Sequence, residues 1–130
     1  MEENCFCGNK KSYTICCKIL HNNILKTETA EQLMRSRYSA FASGNGDYLM
    51  KSHHSKTRVL EDKKEIIAWA ESVTWIKLEV LETTKGKKED TEGTVTFNAH
   101  YYENGKVNIL NEKSAFVKEN GHWVYLGLAD

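Results

Sequence analysis

Apolar residues along this chain change their spacing near position 72, and the change divides it into helices followed by strands. Ala30, Leu33, Met34, Arg37, Tyr38 and Phe41 recur three and four apart, which predicts an amphipathic helix running to about Ala42. Thr29 is placed to cap it, with Gln32 three residues on as the reciprocal member of a capping box. The run Ser43-Gly44-Asn45-Gly46 stops the helix, because Gly and Asn tolerate the backbone of a helix end. A short second helix is expected over Asp47 to Ser52. Asp62 is read as the cap of a third, with Glu65 at the reciprocal position and Ile66, Ile67, Trp69 and Ala70 on its apolar side.

Beyond Ser72 the period becomes two. Ile76, Leu78 and Val80 alternate with Lys77 and Glu79; Val95, Phe97, Ala99 and Tyr101 alternate with Thr96, Asn98 and His100. The runs VNILNEKSAFVK (107–118) and HWVYLGL (122–128) supply two more strands, and the segments KGKKED, ENGK and ENG between strands suit antiparallel hairpins. Helices first and a strand meander after them is an α+β arrangement. The helices pack on one face of a curved four-stranded antiparallel sheet.

Residues 1–25 show neither pattern. They hold all four cysteines of the chain, as Cys5-x-Cys7, eight residues, then Cys16-Cys17. A tetrahedral zinc site takes four soft ligands as two close pairs, and these two pairs meet that need. Gly8 stands where the backbone has to pass close to the sulfurs. Lys10, Lys11 and Lys18 offset part of the negative charge of four thiolates. Two disulfides would need an oxidising compartment, and a redox pair would more usually be C-x-x-C. The start MEENCFCGNKK has acids first and no apolar run, so no secretory leader is read there and a cytoplasmic, thiol-reducing setting is expected. The chain therefore divides into a zinc module at 1–25 and an α+β domain at 26–130.

Lys plus Arg and Asp plus Glu both number 18. With no net field, nucleic acid is not expected as the main partner, and no stretch approaches the length of a membrane span.

The segment CFCGNKKSYTICC resembles the SEC-C motif, named for the C-terminal tail of the SecA translocation ATPase. Cys5, Cys7, Cys16 and Cys17 fall on its ligand positions. Asn9 replaces the usual Ser and Lys10 the second Gly. The stretch TAEQLMRSRYSAFASGNGDYLMKSHHSKTR is similar to YchJ-like proteins, most specifically in LMRSRYSAF, and His54, Thr57 and Arg58 match that family's H-x-x-T-R. His53 stands where Trp is usual and Ser55 where Pro is usual; Glu112, Ser114 and Phe116 match its H-E-x-S-x-F, with Asn111 for His. Such proteins often carry a second SEC-C motif at the C-terminus, and none is read before Asp130. The resemblance implies a cone-shaped domain of the nuclear-transport-factor-like (cystatin-like) kind behind a zinc module that docks on proteins of the chaperone, ribosome or export machinery. It also allows a homodimer through the open sheet face.

For such docking, residues 9–14 and Lys18 form the expected contact face: Lys10, Lys11 and Lys18 give charge and Tyr13 an aromatic anchor, or else a packing residue. The alternative function is small-molecule binding or catalysis in the cone's pocket, with zinc purely structural. Tyr38, His54, Arg58 and Glu112 are the candidate pocket groups, with His100 a weaker one. Against that, Arg35, Arg37 and Tyr38 can simply tie the helix to Glu112 or to strand ends, and His54 to Arg58 can be a capped turn. His53 and His100 can equally be ordinary polar strand or loop residues. No nucleophile elbow, phosphate-binding glycine loop or second metal cluster supports catalysis, and the expectation leans away from an enzyme.

Overall fold

The computed structural model describes residues 4–129. Four helices, α1 (Cys17–Asn22), α2 (Ala30–Ser43), α3 (Gly46–Lys51) and α4 (Lys63–Ser72), precede four strands, β1 (Thr74–Lys85), β2 (Glu92–Glu103), β3 (Lys106–Glu119) and β4 (His122–Leu128). The strands form one open antiparallel sheet in the order β1-β2-β3-β4, and α2 lies across its inner face.

Turn chemistry dictates this meander. The β2–β3 and β3–β4 connections are both two-residue Asn-Gly turns, with φ of 53° and 78° at Asn104 and Gly105 and of 52° and 83° at Asn120 and Gly121. Two successive positive φ values twist the chain in the sense that adjoining strands require, and Asn and Gly adopt them at least cost.

α2 begins as expected. Thr29 Oγ1 accepts the N–H of Gln32 at 3.1 Å, and Gln32 Oε1 accepts the N–H of Glu28 at 2.7 Å, one residue before the position a regular capping box would use. The cap expected for the third helix differs: a 3-10 turn over Leu60–Asp62 runs straight into α4, so Asp62 has a helical backbone and its carboxylate caps nothing. Asn45 caps α3, accepting the N–H of Tyr48 at 3.1 Å, and the helix starts one residue earlier than expected, at Gly46.

The strand alternation also meets a correction. Leu78 and Val80 face inward opposite Ala99 and Phe97, but the register slips at Ile76 and again at Leu81. The bulge at Ile76 leaves that side chain 47% exposed and brings Trp75 inward instead, against Tyr38 and Phe41. One extra residue reverses which face a side chain takes, so period-two counting fails there.

The core lies between α2 and the sheet. Leu33, Leu49, Val95, Phe116, Trp123 and Val124 are all essentially fully buried. Each such side chain contributes about 1.5–3 kcal/mol by leaving water. Ser52, His53 and His54 run beside β4: Tyr125 N–H bonds to Ser52 O at 2.7 Å and His54 N–H to Tyr125 O at 2.8 Å, which covers the sheet's edge.

Candidate functional site

The cysteine loop is built by short local bonds. Cys5 N–H donates to Lys11 O at 2.6 Å and Asn4 pairs with Ser12, so the first two cysteines sit on a small hairpin. A 3-10 turn over Tyr13–Ile15 then delivers Cys16, and Cys17 opens α1. The four Sγ atoms lie within 4.8 Å of one another, with Cys5, Cys7 and Cys17 buried and Cys16 half-buried. A tetrahedron of thiolates at about 2.3 Å from zinc has edges of about 3.8 Å, so the cluster needs only a small contraction to hold such an ion. Asn9 Nδ2 donates to Cys16 Sγ at 3.5 Å.

Left to themselves the thiols compete for protons. Hydrogen bonds from Cys17 and then Cys7 hold the Cys5 thiol far below its usual range. The bond from Cys17 favours the Cys7 thiolate too, but Cys5 and burial outweigh it and push the Cys7 thiol up to about 12. Bonding to Cys5 and Cys7, with burial, drives the Cys17 thiol far up. A divalent cation favours the thiolate form of each ligand and relieves this competition.

Three side chains fasten the loop to the helices. Arg35 Nη1 donates to Cys7 O at 2.6 Å while its Nε donates to Glu31 at 2.9 Å. Gly8, at φ +94°, leaves room for that arginine: a Cβ there would stand 3.1 Å from Nη1 and 3.3 Å from Leu78 O. Cys5 Sγ meets Ser39 Oγ at 3.7 Å. His21 bridges the two parts, with Nε2 at 2.8 Å from Ser36 O and Nδ1 at 2.7 Å from Tyr13 Oη. A carbonyl can only accept, so Nε2 carries the hydrogen and Nδ1 accepts from the tyrosine. Burial lowers the basicity of His21, which suits this neutral form. Tyr13 is accordingly occupied inside the module. Lys10, Lys11 and Lys18 are exposed. Next to Cys16 an open groove of about 590 Å³ carries Ile15, Ile19 and Leu25 with Lys11 and Lys88.

His21 went unread in the sequence, although it stands four residues after Cys17 on one helix face, the spacing at which side chains stack. The expected ties of α2 to Glu112 are replaced by others. Arg35 serves the cysteine loop, Arg37 Nη1 donates to Leu49 O at 2.9 Å and Ser52 Oγ at 2.7 Å, and Tyr38 Oη is buried without a partner among the described residues.

A cavity of about 240 Å³ lies between α2 and the inner face of the sheet, and Tyr38 and Glu112 both line it. His54 and Arg58, grouped with them in the sequence, line neither it nor the adjoining depression. His54 Nδ1 accepts the N–H of Lys56, its Nε2 lies 3.4 Å from Glu119, and its carbonyl accepts the N–H of Thr57 and Arg58. That is the turn reading of the segment, in which Arg58 Nη1 reaches Met50 O at 3.3 Å. His100 pairs with Glu79 on the outer face of the sheet. His53 sets its ring edge-on to Tyr125 at 5.1 Å.

Comparison with known proteins follows the two parts of the molecule. The family model for the middle, NTF2-like domain of YchJ matches residues 29–127. The chain belongs to the YchJ family. A UPF0225 protein of Vibrio parahaemolyticus is 45% identical over 97% of this chain and 74% of its own length. Another, from Streptomyces coelicolor, is 39% identical over 93% of this chain and 90% of its own. The solution structure of a SEC-C motif containing protein from Rhodopseudomonas palustris superposes with a TM-score of 0.85 at 32% identity, covering 98% of this chain and 99% of that one. A crystal structure of a SEC-C motif containing protein from Psychrobacter arcticus gives 0.78 at 28% identity, covering 99% of this chain and 81% of the other. Among YchJ relatives, then, the cysteine loop and the open sheet of this chain form an α+β protein with a cluster able to hold a metal ion. No helix among the described residues is long and apolar enough to cross a membrane.

Proposed function

We propose that this YchJ-family protein holds one zinc ion through Cys5, Cys7, Cys16 and Cys17. The metal-built module, residues 1–25, docks on a protein partner of the chaperone, ribosome or export machinery in a reducing cytoplasm. The observation that carries the reading is the approach of all four sulfurs to within 4.8 Å of one another on a loop with hardly any apolar core of its own. Four protein ligands leave zinc no open coordination position, so the ion organises a surface and activates no water.

That surface has a stated chemistry. Lys10, Lys11 and Lys18 project from it, and Ile15 and Ile19 are 60% and 41% exposed beside the half-buried Cys16. An acidic segment carrying apolar side chains complements such a face. Tyr13 contributes by bracing the loop through His21.

Elemental analysis of protein purified without chelator, paired with a thiol count after chelation, tests the centre. The expected result is one zinc per chain and release of all four thiols by chelator alone. Thiols freed only by a reductant would mean disulfides and would remove the basis for the module. With zinc established, partner capture by the native protein and by Lys10→Glu with Ile15→Asp tests the face; undiminished capture by that variant would rule it out.

A further inference from the structure

The cavity under α2 is separate from the metal loop and has polar groups that the fold does not use. We propose that it binds a compact organic anion, a carboxylate carried on one or two aromatic rings.

The lining gives the body of the ligand. Phe41, Trp75, Phe97 and Tyr125 supply flat apolar walls, and a volume of about 240 Å³ admits one or two rings and little more. Arg37 gives the charge. Its side chain is buried, with the guanidinium 4.8 Å above the ring of Tyr125 and no carboxylate within ion-pair distance among the described residues. Burial lowers its pKa only to about 10, so it stays charged at neutral pH. An uncompensated buried cation is costly, and a desolvated carboxylate is the partner that relieves it. Nη1 is committed to Leu49 O and Ser52 Oγ, which hold the group in place, while a guanidinium offers five donors in all.

Tyr38 gives direction. It is the next residue of α2, it is 2% exposed, and its hydroxyl finds no partner among the described residues although it lines the cavity. A buried hydroxyl without a partner is rare enough to require a reason, and a carboxylate oxygen accepting from it would be one. Glu112 sits on the same lining, opposite Phe97. Its carboxylate disfavours a second negative charge on the ligand and can accept from a ring hydroxyl or N–H. A cationic amine would satisfy Glu112, but it would have to share the cavity with the buried guanidinium, so the anion is preferred. The depression bounded by His53, Glu65 and Ile66 shares Arg37, Phe41, Trp69 and Tyr125 with the cavity and gives a way in; Asp62 and Glu65 there are exposed and screened by solvent.

The experiment is an amide and side-chain NMR titration of the full chain with benzoate, 4-hydroxybenzoate and indole-3-carboxylate, and with benzylamine and sulfate as contrasts. The aromatic carboxylates are expected to shift the indole signals of Trp69 and Trp75 saturably. Tyr38→Phe, which removes one unpartnered oxygen and leaves the packing, is expected to weaken 4-hydroxybenzoate and benzoate alike by about tenfold, the worth of one hydrogen bond to a charged group. Arg37→Lys is expected to weaken them further; should that variant fail to fold, Tyr38→Phe alone decides. Saturable shifts from benzylamine instead of the carboxylates would overturn the anion. So would shifts confined to surface lysines, unchanged affinity in Tyr38→Phe, or no response up to about 10 mM carboxylate, a limit near 2.7 kcal/mol of binding.

Discussion

The cysteine loop and the helix-on-sheet body are held together by different physics. In the body, Leu33, Phe97, Phe116 and Trp123 pack into one apolar cluster with α2 and β1 to β4 around it. In the loop, the cluster consists of three buried cysteines with Tyr13 and Cys16 against them, while Phe6, Ile15 and Ile19 are turned to solvent. One part has enough buried apolar area to order itself; the other has ligand atoms in place of a core. The lesson is that the loop's order rests on a cluster of ligand atoms able to hold an ion and on the few bonds from Arg35, Ser39 and His21, whereas the body's is tied to burial.

The sharpest break is at the sulfurs. Replacing Cys16 and Cys17 by Ser is expected to abolish metal binding and disorder the first two dozen residues, since ligation in such modules carries about 10–16 kcal/mol of coupled folding energy. Circular dichroism and amide spectra should still report the intact sheet. Simultaneous loss of both parts would show that the contrast between them is not real.

The reverse perturbation follows. Trp123→Ala removes a fully buried indole whose N–H donates to Glu28 O at 3.1 Å, and should lower the stability of the body by about 3–5 kcal/mol in denaturant titration. The metal content of the folded fraction should not change. A variant that loses metal while still folded would reveal a dependence running the other way.

Between the two parts, Arg35→Ala deletes the bond to Cys7 O and leaves the carbonyl of that buried residue without its donor. A cost of about 1–3 kcal/mol is expected, measured as weaker competition against a metallochromic chelator. If only the thermal midpoint of the body moved, Arg35 would belong to the body alone.

The smallest effect is a titration in the body. Burial, then the positive charges of Arg37 and Arg58, holds His53 down to about 4 against an ordinary 6.5. The unfolded chain therefore binds a proton between those values that the folded chain refuses, so stability is full above about 6.5 and falls as pH drops toward 4. With His53 half-exposed, screening reduces the loss to about 1 kcal/mol. Urea midpoints of metal-free protein at pH 7 and pH 5 check it, because zinc ligation then plays no part. His53→Asn should flatten the difference, and an unchanged slope would assign it to another group.

Much of this was legible beforehand, for identifiable reasons. The helix under Thr29 and the two Asn-Gly hairpins were readable because capping and positive-φ turns are decided by neighbouring residues. The failures share a cause as well. Asp62 looked like a cap because local chemistry allowed it, but the 3-10 turn before α4 gave its backbone a helical shape. Ile76 looked inward until a bulge turned it out. His54 and Glu112 looked like companions, yet one sits in a turn beside Glu119 and the other on the cavity wall.

By itself, then, the sequence determined the cysteine cluster, the order of helices before strands and the antiparallel meander, because each rests on residues close together in the chain. Tertiary structure alone decided that Arg35 and His21 fasten the loop to α2, that Arg37 is buried with no carboxylate at ion-pair distance among the described residues, and that Tyr38 and Glu112 line one cavity. Those relations join positions dozens of residues apart. Which of many possible partners a long polar side chain meets is set only when α2 comes to rest on the sheet, since burial fixes the position and leaves the polar atoms to bond with whatever lies within reach.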